Sequence, residues 1–285
     1  MTVQLANKAF SEQDIQAFEP AMKIGLLATV NPDGLPHLTM ISTLKAGSPA
    51  TVTWGQFTEG SSKQHVRQNP RAAFLIMTLD RRFWRGKARW THSETGGPQF
   101  EAYNNIPMFR YNAYFGIHTV HHMELIGHTG QQALPMQAVI LAAVKTMAAR
   151  ILAPARSPKP VLNSWTQAFF NKLDNLKFLA FIDQDGFPWI IPAIQAQADG
   201  SGSLLLSTAV FGSELSAIPD GSPAAVLGLA LTMEDVLVRG VYRSNQVRAG
   251  LRCAAVEVDW VYNPMPPVPG QIYPPLDIRP VKTFR

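Results

Sequence analysis

The sequence contains little cysteine and little charge. Cys253 is the single cysteine among 285 residues, which excludes an internal disulfide framework and fits a reducing compartment. Charged residues make up 16% of the chain, and the formal net charge is +5. The basic residues form neither a run nor a stripe, so the charge favours an anionic ligand but does not indicate nucleic-acid binding.

Long apolar runs are also scarce. Residues 1–14 contain no apolar core of signal-peptide length, so a cytoplasmic protein is expected. The Ala-rich segment Ala133–Ala153 includes Lys145 and Arg150, and a lysine near the middle of a membrane span is costly. We therefore predict a packed helix and no membrane contact. Its predicted buried side consists of Met136, Val139, Ile140, Ala143, Met147 and Ile151.

The sequence does contain a repeated stretch. Residues 24–77 contain an apolar run, the turn sequence Asn-Pro-Asp-Gly and two further apolar runs. A less distinct version of this pattern begins at Phe178. Three landmarks repeat at nearly constant spacing: Gly186 lies 152 residues after Gly34, Pro223 lies 153 after Pro70, and Arg239 lies 154 after Arg85. This spacing predicts an internal duplication.

Turn sequences between apolar runs predict β-strands. Because Gly34 supplies the positive φ of a tight turn, Ile24–Val30 and His37–Leu44 are expected to pair as antiparallel strands. A helix over residues 12–22, capped by Ser11 and Asp14 and burying Met22, should precede them. Further strands are predicted at Ala50–Trp54, Arg71–Leu79, Arg82–Thr91 and Ile117–Ile126, and a second helix at Val161–Leu176.

The polar segment SSKQ at residues 61–64 is predicted to begin a short helix that ends at Asn69 and Pro70. Ser61 can cap this helix. The free N–H groups of its first turn, beside hydroxyl groups and the Lys63 ammonium, are typical of an anion site.

Residues 92–116 have no counterpart in the second copy and are rich in aromatic and amide side chains. Loops of this length in a compact domain are often functional, so the segment is a candidate cover for a substrate pocket. The alternative is that its aromatic residues only cover the sheet.

Histidines and basic residues form the remaining clusters. On one strand, His118 and His122 share a face roughly 13 Å apart while His121 points to the other face, so the three cannot bind one ion. We predict hydrogen-bonded or surface histidines and no metal site, with one haem-ligating or flavin-contacting histidine as the alternative. Alternation places Arg85, Lys87 and Arg89 together on a face that is expected to be solvated, with an anion-binding wall as the alternative, and Cys253 is expected to be an inert core thiol.

From Ile24 to about Trp90, the chain resembles the pyridoxamine 5'-phosphate oxidase-like, FMN-binding split-barrel superfamily, and the resemblance returns weakly from Phe178 to Tyr262. Four motifs carry it: ATVNPDGLPHLT from Ala28, SSK at 61–63, QNPR at 68–71 and GKA at 86–88. Each motif is common alone, and their order and spacing together are specific.

The resemblance implies six-stranded antiparallel barrels, normally paired as dimers, with FMN in the cleft between two barrels. In that family the helix start after the third strand holds the flavin phosphate, the second strand follows the isoalloxazine edge, and the third strand lies near the ribityl chain. The cofactor-binding residues implied here are Thr39, Met40, Ile41, Ser42, Trp54, Gln56, Ser61, Ser62 and Lys63. No catalytic residue is assigned.

Two departures argue against vitamin B6 oxidation. The arginine and lysine that the oxidases carry on the second strand are replaced by Thr39 and Leu44, and their arginine-leucine-x-proline ending is replaced by Asp277-Ile-Arg-Pro280. The resemblance therefore implies an FMN-dependent oxidoreductase with another small-molecule substrate or electron donor. The alternatives are a deazaflavin-dependent reductase, a haem-binding protein and a flavin store without turnover.

The second copy has lost the phosphate motif. Lys63 aligns with Ser216 or Ala217, and Glu214 brings a charge that repels phosphate. One competent and one structural half are therefore expected to form an internal pseudo-dimer, with a further homodimer left open. The predicted architecture is mainly β (α+β): an N-terminal split barrel (1–130), a helical linker (131–175), and a C-terminal split barrel with a degenerate site and a proline-rich tail (176–285).

Overall fold

The computed structural model describes residues 5–57, 59–106, 116–153, 160–232, 234–263 and 270–274, and it contains two antiparallel sheets in tandem. The first sheet consists of β1 Ile24–Val30, β2 Pro36–Met40, β3 Lys45–Ser48, β4 Thr51–Gln56, β5 Arg71–Met77, β6 Arg82–Glu94, β7 Thr119–His128 and β8 Gln132–Ala133. The second consists of β9 Leu176–Ile182, β10 Pro188–Pro192, β11 Gln197–Ala198, β12 Ser203–Ser207, β13 Pro223–Leu229, β14 Asp235–Arg248, β15 Leu251–Asn263 and β16 Gly270–Tyr273. The described helices are α1 Glu12–Phe18, α2 Ser61–Gln68, α3 Pro98–Asn104, α4 Met136–Leu152, α5 Ser164–Asn171 and α6 Gly212–Ala217.

The two sheets have the same strand order. The first runs β2-β1-β5-β6-β7-β4-β3 with β8 beside β6, and the second runs β10-β9-β13-β14-β15-β12-β11 with β16 beside β15. Two helices, α4 and α5, lie between them in the chain. The prediction of a mainly β protein with two tandem antiparallel sheets is confirmed, although β8 extends the first sheet beyond residue 130.

Each half begins with the predicted hairpin. Gly34 has φ +75° and Gly186 has φ +77°, which is the conformation that favours glycine in these turns. The strand β2 ends at Met40 instead of the predicted Leu44. Beyond it, the Thr43 hydroxyl donates to the Gly55 carbonyl (2.8 Å), so the chain after β2 contacts β4 and brings the two ends of the first sheet together.

The repeated Arg-Gly dipeptide marks a close approach of two strands. A Cβ atom at Gly240 would lie 1.9 Å from the Glu257 carbonyl oxygen, and one at Gly86 would lie 2.4 Å from the Phe74 ring. The β14 and β15 register also shifts between Arg239 and Gly240. Only glycine leaves room at these two positions. They are not equivalent in the two sheets, because the register shift follows Lys87 in the first sheet and Arg239 in the second.

The N-terminal helix is capped as expected but is shorter than predicted. The Asp14 N–H donates to Ser11 Oγ (3.1 Å), and the Ser11 N–H donates to Asp14 Oδ2 (3.0 Å), which is a capping box. Because α1 ends at Phe18, the prediction that Met22 is buried is wrong, and Met22 is exposed.

The linker helix α4 buries part of the predicted face, since Val139 and Ala143 are buried as predicted. It packs Val139, Ala142, Ala143, Thr146 and Ala149 inward. The large residues Ile140, Met147 and Ile151 are exposed, so that part of the prediction is wrong. Small side chains allow the helix backbone to approach the second sheet closely, which the apolar spacing alone did not indicate. None of the described helices has the length and apolar character needed to cross a membrane.

The two halves share an apolar core and buried ion pairs. Residues of both halves form one cluster that includes Leu75 and Ile190. Arg85 and Lys87 are only 1% and 2% exposed, so the predicted solvated face is wrong for these two residues, while Arg89 is exposed. Carboxylates of the second half surround the two buried cations, and this compensates for the cost of removing them from water.

Candidate functional site

A contact region between the halves collects most of the predicted phosphate-binding groups. We call it the first cleft. It is formed by β2 and α2 of the first half and by β14 and β15 of the second. Its residues are His37, Thr39, Ser62, Lys63, His65, Arg239, Trp260 and Tyr262.

Helix α2 presents its polar start to this cleft. Its N-cap is Gly60, whose backbone is extended, and no side chain caps the helix, so the prediction that Ser61 caps it is wrong. Ser62 is buried and its hydroxyl lies 2.5 Å from the Thr39 hydroxyl on β2. This contact fixes the first turn of α2 against β2.

Lys63 places a partly desolvated ammonium group beside these hydroxyls. Burial lowers its pKa, while the nearby Glu59 charge acts in the opposite direction. No carboxylate in the described part of the chain lies within ion-pair distance of Lys63. A bound anion would compensate the desolvation of this group.

Two histidines lie beside these groups. The His37 and His65 rings meet edge to face with centroids 5.0 Å apart, and His65 Nδ1 lies 3.1 Å from the Thr29 hydroxyl. Burial lowers the pKa of His37 to about 3, and the charges of His65, Arg239 and Lys63 act in the same direction. Burial and then Arg239 also lower the pKa of His65. Positive groups therefore converge on His37.

Arg239 comes from the second half. Its guanidinium lies 4.2 Å from the centre of the Trp260 ring, and Trp260 stacks on Tyr262, which contacts His37 edge to face. Burial lowers the pKa of Arg239, whereas Asp259 and Asp33 act to raise it. This aromatic stack positions a cation of one half over the cleft of the other.

The second half contains an equivalent cleft, which we call the second cleft and define by Arg85, Trp189 and Glu214. Trp189 pairs with Phe181 as His37 pairs with Thr29, so Trp189 takes the place of His37. The Glu214 carboxylate accepts hydrogen bonds from the Trp189 indole (2.9 Å) and from both terminal nitrogens of Arg85 (2.7 and 3.0 Å). A cavity of about 250 Å³ adjoins Trp189 and Glu214. In this cleft the chain supplies its own anion.

The predicted cofactor residues separate into two groups. The structure brings Thr39, Ser62 and Lys63 together, and Ser61 precedes them in the same helical turn. Trp54 and Gln56 instead lie inside the first half, fully or almost fully buried. The remaining β2 predictions also differ in position: Met40 packs against the core between the halves, Ile41 is buried in the first half's own core, and Ser42 is half-buried after β2.

Trp54 and Gln56 both contact His121. Trp54 stacks on the His121 ring at 3.7 Å, nearly parallel. The His121 Nε2 lies 2.7 Å from Gln56 Oε1, and the Trp90 indole donates to His121 Nδ1 (3.2 Å). Since burial also lowers the pKa of His121 to about 3, it is a neutral histidine with both ring nitrogens bonded to protein groups.

Part of the 92–116 segment covers the sheet. Tyr103 of α3 is fully buried, its hydroxyl donates to the Thr43 carbonyl (3.1 Å), and burial raises its pKa. The predicted aromatic and amide residues at 107–115 lie outside the described residues. The predicted proline-rich tail is described only at residues 263 and 270–274, where β16 pairs with β15.

Two features were missed from the sequence. His92, Glu94 and His122 converge within 4.8 Å, and the signal was a His-x-Glu spacing on one strand face opposite a histidine of the next strand. Arg239 was recognised only as a landmark of the repeat. The residues of the first half that lie near Arg239 could not be predicted from the sequence around it.

No protein-family model matches this chain, and no curated protein matches it in sequence. Several solved structures resemble it. An FMN-binding protein from Syntrophomonas wolfei subsp. wolfei is 12% identical with a TM-score of 0.36, and the match covers 43% of this chain and 86% of that one. A candidate pyridoxamine 5'-phosphate oxidase from Lactobacillus delbrueckii is 13% identical with a TM-score of 0.35, over 44% and 98% of the two chains.

A third solved structure, an F420 reductase, is 16% identical with a TM-score of 0.34, over 42% of this chain and 98% of that one. Each match spans less than half of this chain and nearly all of the other protein. The matched part of each of these proteins thus has about the size of one half of this chain.

Proposed function

We propose that the first cleft binds FMN through its phosphate. The observation that supports this is the contrast between the two clefts. In the second cleft, the Glu214 carboxylate neutralises Arg85. In the first cleft, strand pairing makes Arg239 the counterpart of Lys87. The charges of Arg239 and Lys63 both act on His37, and Arg239 also acts on His65. A ligand phosphate would take the role beside these cations that Glu214 has in the second cleft.

The residues present fit a phosphate group. Ser62 and Thr39 offer hydroxyl groups, and Lys63 and Arg239 offer charges that are already partly desolvated. Charge-assisted hydrogen bonds of this kind are stronger than neutral ones. Trp54 and Gln56 would support the first half from inside rather than contact the cofactor, because their side chains are held against His121.

We propose further that the protein is an oxidoreductase related to pyridoxamine 5'-phosphate oxidases but with a different substrate. Bound FMN would supply hydride or electron transfer. The chain would bind the phosphate, orient the ring against β2 and shield it with Trp260 and Tyr262 of the second half. In this arrangement the two halves act as an internal pseudo-dimer, since Arg239 completes the cleft of the first half.

Titration with FMN tests the binding proposal. We expect Lys63→Ala and Arg239→Met each to weaken FMN binding by about 1.5–3 kcal/mol, the loss of one charge-assisted contact. The matched control is Lys172→Ala, which removes an exposed lysine outside the cleft and should bind FMN as the wild type does. Equal FMN affinity in all four proteins would overturn the assignment.

The same preparation distinguishes the classes of function. A titration with a deazaflavin beside FMN identifies the preferred cofactor. Reduction of the bound flavin by NADH or NADPH, followed by reoxidation with an acceptor, is expected for an oxidoreductase. Tight FMN binding without reduction by either donor would instead identify a flavin store.

A further inference from the structure

A second cluster lies on β6 and β7 of the first sheet and shares no residue with the first cleft. His92 and Glu94 project from the same face of β6, and His122 is the direct cross-strand partner of His92 on β7. One ligand atom from each of the three side chains lies within 4.8 Å of the other two. Two imidazoles and one carboxylate are a donor set that divalent transition metals prefer.

The contact between Glu94 and His122 has the spacing of two metal ligands. Glu94 Oε1 and His122 Nε2 are 3.2 Å apart, yet both atoms are buried and neither makes a hydrogen bond of acceptable geometry with the described residues. Two ligands of one tetrahedral Zn²⁺ lie about 3.4 Å apart, given metal–ligand bonds of about 2.1 Å. An ion between them would satisfy both buried atoms at once.

Thr91 fixes His92 in the form that binds a metal. The Thr91 hydroxyl donates its single proton to the His122 carbonyl (3.1 Å), and the same oxygen lies 3.0 Å from His92 Nδ1. Because this proton is used, Nδ1 of His92 must be the donor in the second contact. In the neutral ring Nε2 then carries the free lone pair, and Thr91 orients the ligand as second-sphere groups do in metal sites.

The position of the cluster suits a site with an open coordination position. His92 is exposed, whereas the Glu94 and His122 side chains are 29% and 15% exposed, so an ion can enter from solvent. Gly97, with φ +98°, turns the chain back beside the Glu94 carboxylate. A bound ion would join β6 to β7 at the point where the chain leaves the sheet for α3.

We propose that His92, Glu94 and His122 form a binding site for a divalent transition-metal ion of the Zn²⁺ class, with a fourth position open to water. The site is separate from the first cleft, and its occupation does not depend on FMN binding. Its role is to link β6 to β7 at the point where the chain leaves β6 for α3.

Zinc competition with a chromophoric chelator tests this proposal on the full chain without a histidine tag. We expect the wild type to bind one Zn²⁺ per chain, and His92→Ala and Glu94→Gln to bind it at least about tenfold more weakly. Thr91→Val should also weaken binding about tenfold, because the tautomer of His92 is no longer fixed. The control is His118→Ala, an exposed histidine outside the cluster, which should retain wild-type affinity.

Two further measurements separate a metal site from a structural effect. The thermal unfolding temperature without metal should be the same for wild type and Glu94→Gln, and only the wild type should gain stability when Zn²⁺ is added. Co²⁺ bound in the wild type should show the strong visible absorption of a tetrahedral site. Absence of Zn²⁺ binding by the wild type, or equal loss in His118→Ala and His92→Ala, would overturn the proposal.

Discussion

Arg85 and Glu214 form a two-point ion pair between the halves of the chain, with Nη1–Oε2 and Nη2–Oε1 distances of 2.7 and 3.0 Å. The arginine also donates to the Ile190 carbonyl (3.2 Å) and to Gln132. Its guanidinium therefore has carboxylate, carbonyl and amide partners in a site that is almost closed to water. Removal of one partner from such a pair is costly, because the other partner remains charged and buried.

Replacement of Arg85 by methionine is expected to destabilise the protein by about 3–5 kcal/mol, since Glu214 would remain buried without its counter-ion. Urea unfolding followed by circular dichroism measures this change. The double variant Arg85→Met with Glu214→Met should recover most of the loss, because neither charge is then unpaired. If the double variant is no more stable than Arg85→Met, the loss comes from packing and not from charge.

His37 should make stability fall in acid. Burial lowers its pKa from 6.5 to about 3, so the folded state keeps it neutral while the unfolded chain binds a proton below pH 6.5. Its contribution is therefore present above pH 6.5 and is lost as the pH falls towards 3, with a slope of up to about 1.4 kcal/mol per pH unit.

The variant His37→Asn isolates this contribution from that of His121, whose pKa is lowered in the same way. Unfolding free energies of both proteins should be compared at about pH 7 and about pH 4. The variant should lose less stability over this interval than the wild type. Identical losses would show that His37 does not carry the effect.

Asp235 should make the stability of the protein fall as the pH rises, which is opposite to the effect of His37. Burial raises its pKa from 3.8 to about 7, and its Oδ1 has no hydrogen-bond partner among the described residues. Between these pH values the folded state holds a proton that the unfolded chain has released, so stability decreases as the pH rises from 3.8 to 7. Asp235→Asn should be more stable than the wild type by about 1 kcal/mol or more at about pH 8 and gain nothing at about pH 4. A gain of equal size at both pH values would exclude ionisation as its cause.

Gly240→Ala should destabilise the second half. The added Cβ would lie 1.9 Å from the Glu257 carbonyl oxygen, and strands that are forced apart lose about 1–3 kcal/mol. Gly96→Ala is the matched control, because a Cβ at Gly96 meets no atom within 4 Å. Chemical unfolding of the two variants should show a loss for Gly240→Ala alone.

Local signals predicted local structure well. Gly34 and the Ser11–Asp14 capping box act within a few residues, so the first hairpin and the start of α1 were found from the sequence. The cap of α2 was predicted wrongly, because Gly60 and Ser61 are both suitable N-cap residues and the surrounding backbone selects between them. The ends of β2 and α1 also depend on contacts beyond the segment itself.

Contacts between distant parts of the chain could not be predicted in the same way. Alternation placed Arg85 and Lys87 on one face correctly, but it did not indicate that Glu214 and Asp183 would cover that face. Similarly, the family resemblance implied Trp54 as a cofactor-binding residue, but it did not indicate that His121 would stack on the Trp54 ring. Both outcomes depend on which side chain occupies the space opposite.

The two halves belong to one chain, and this changes how their contact behaves. Assembly of two separate subunits weakens on dilution, whereas the pairing of Arg85 with Glu214 is intramolecular and should be the same at any protein concentration. In a symmetric dimer, one substitution alters two identical clefts. Here a change at Arg239 affects the first cleft and leaves Arg85 in place, so the binding properties of each cleft can be varied separately.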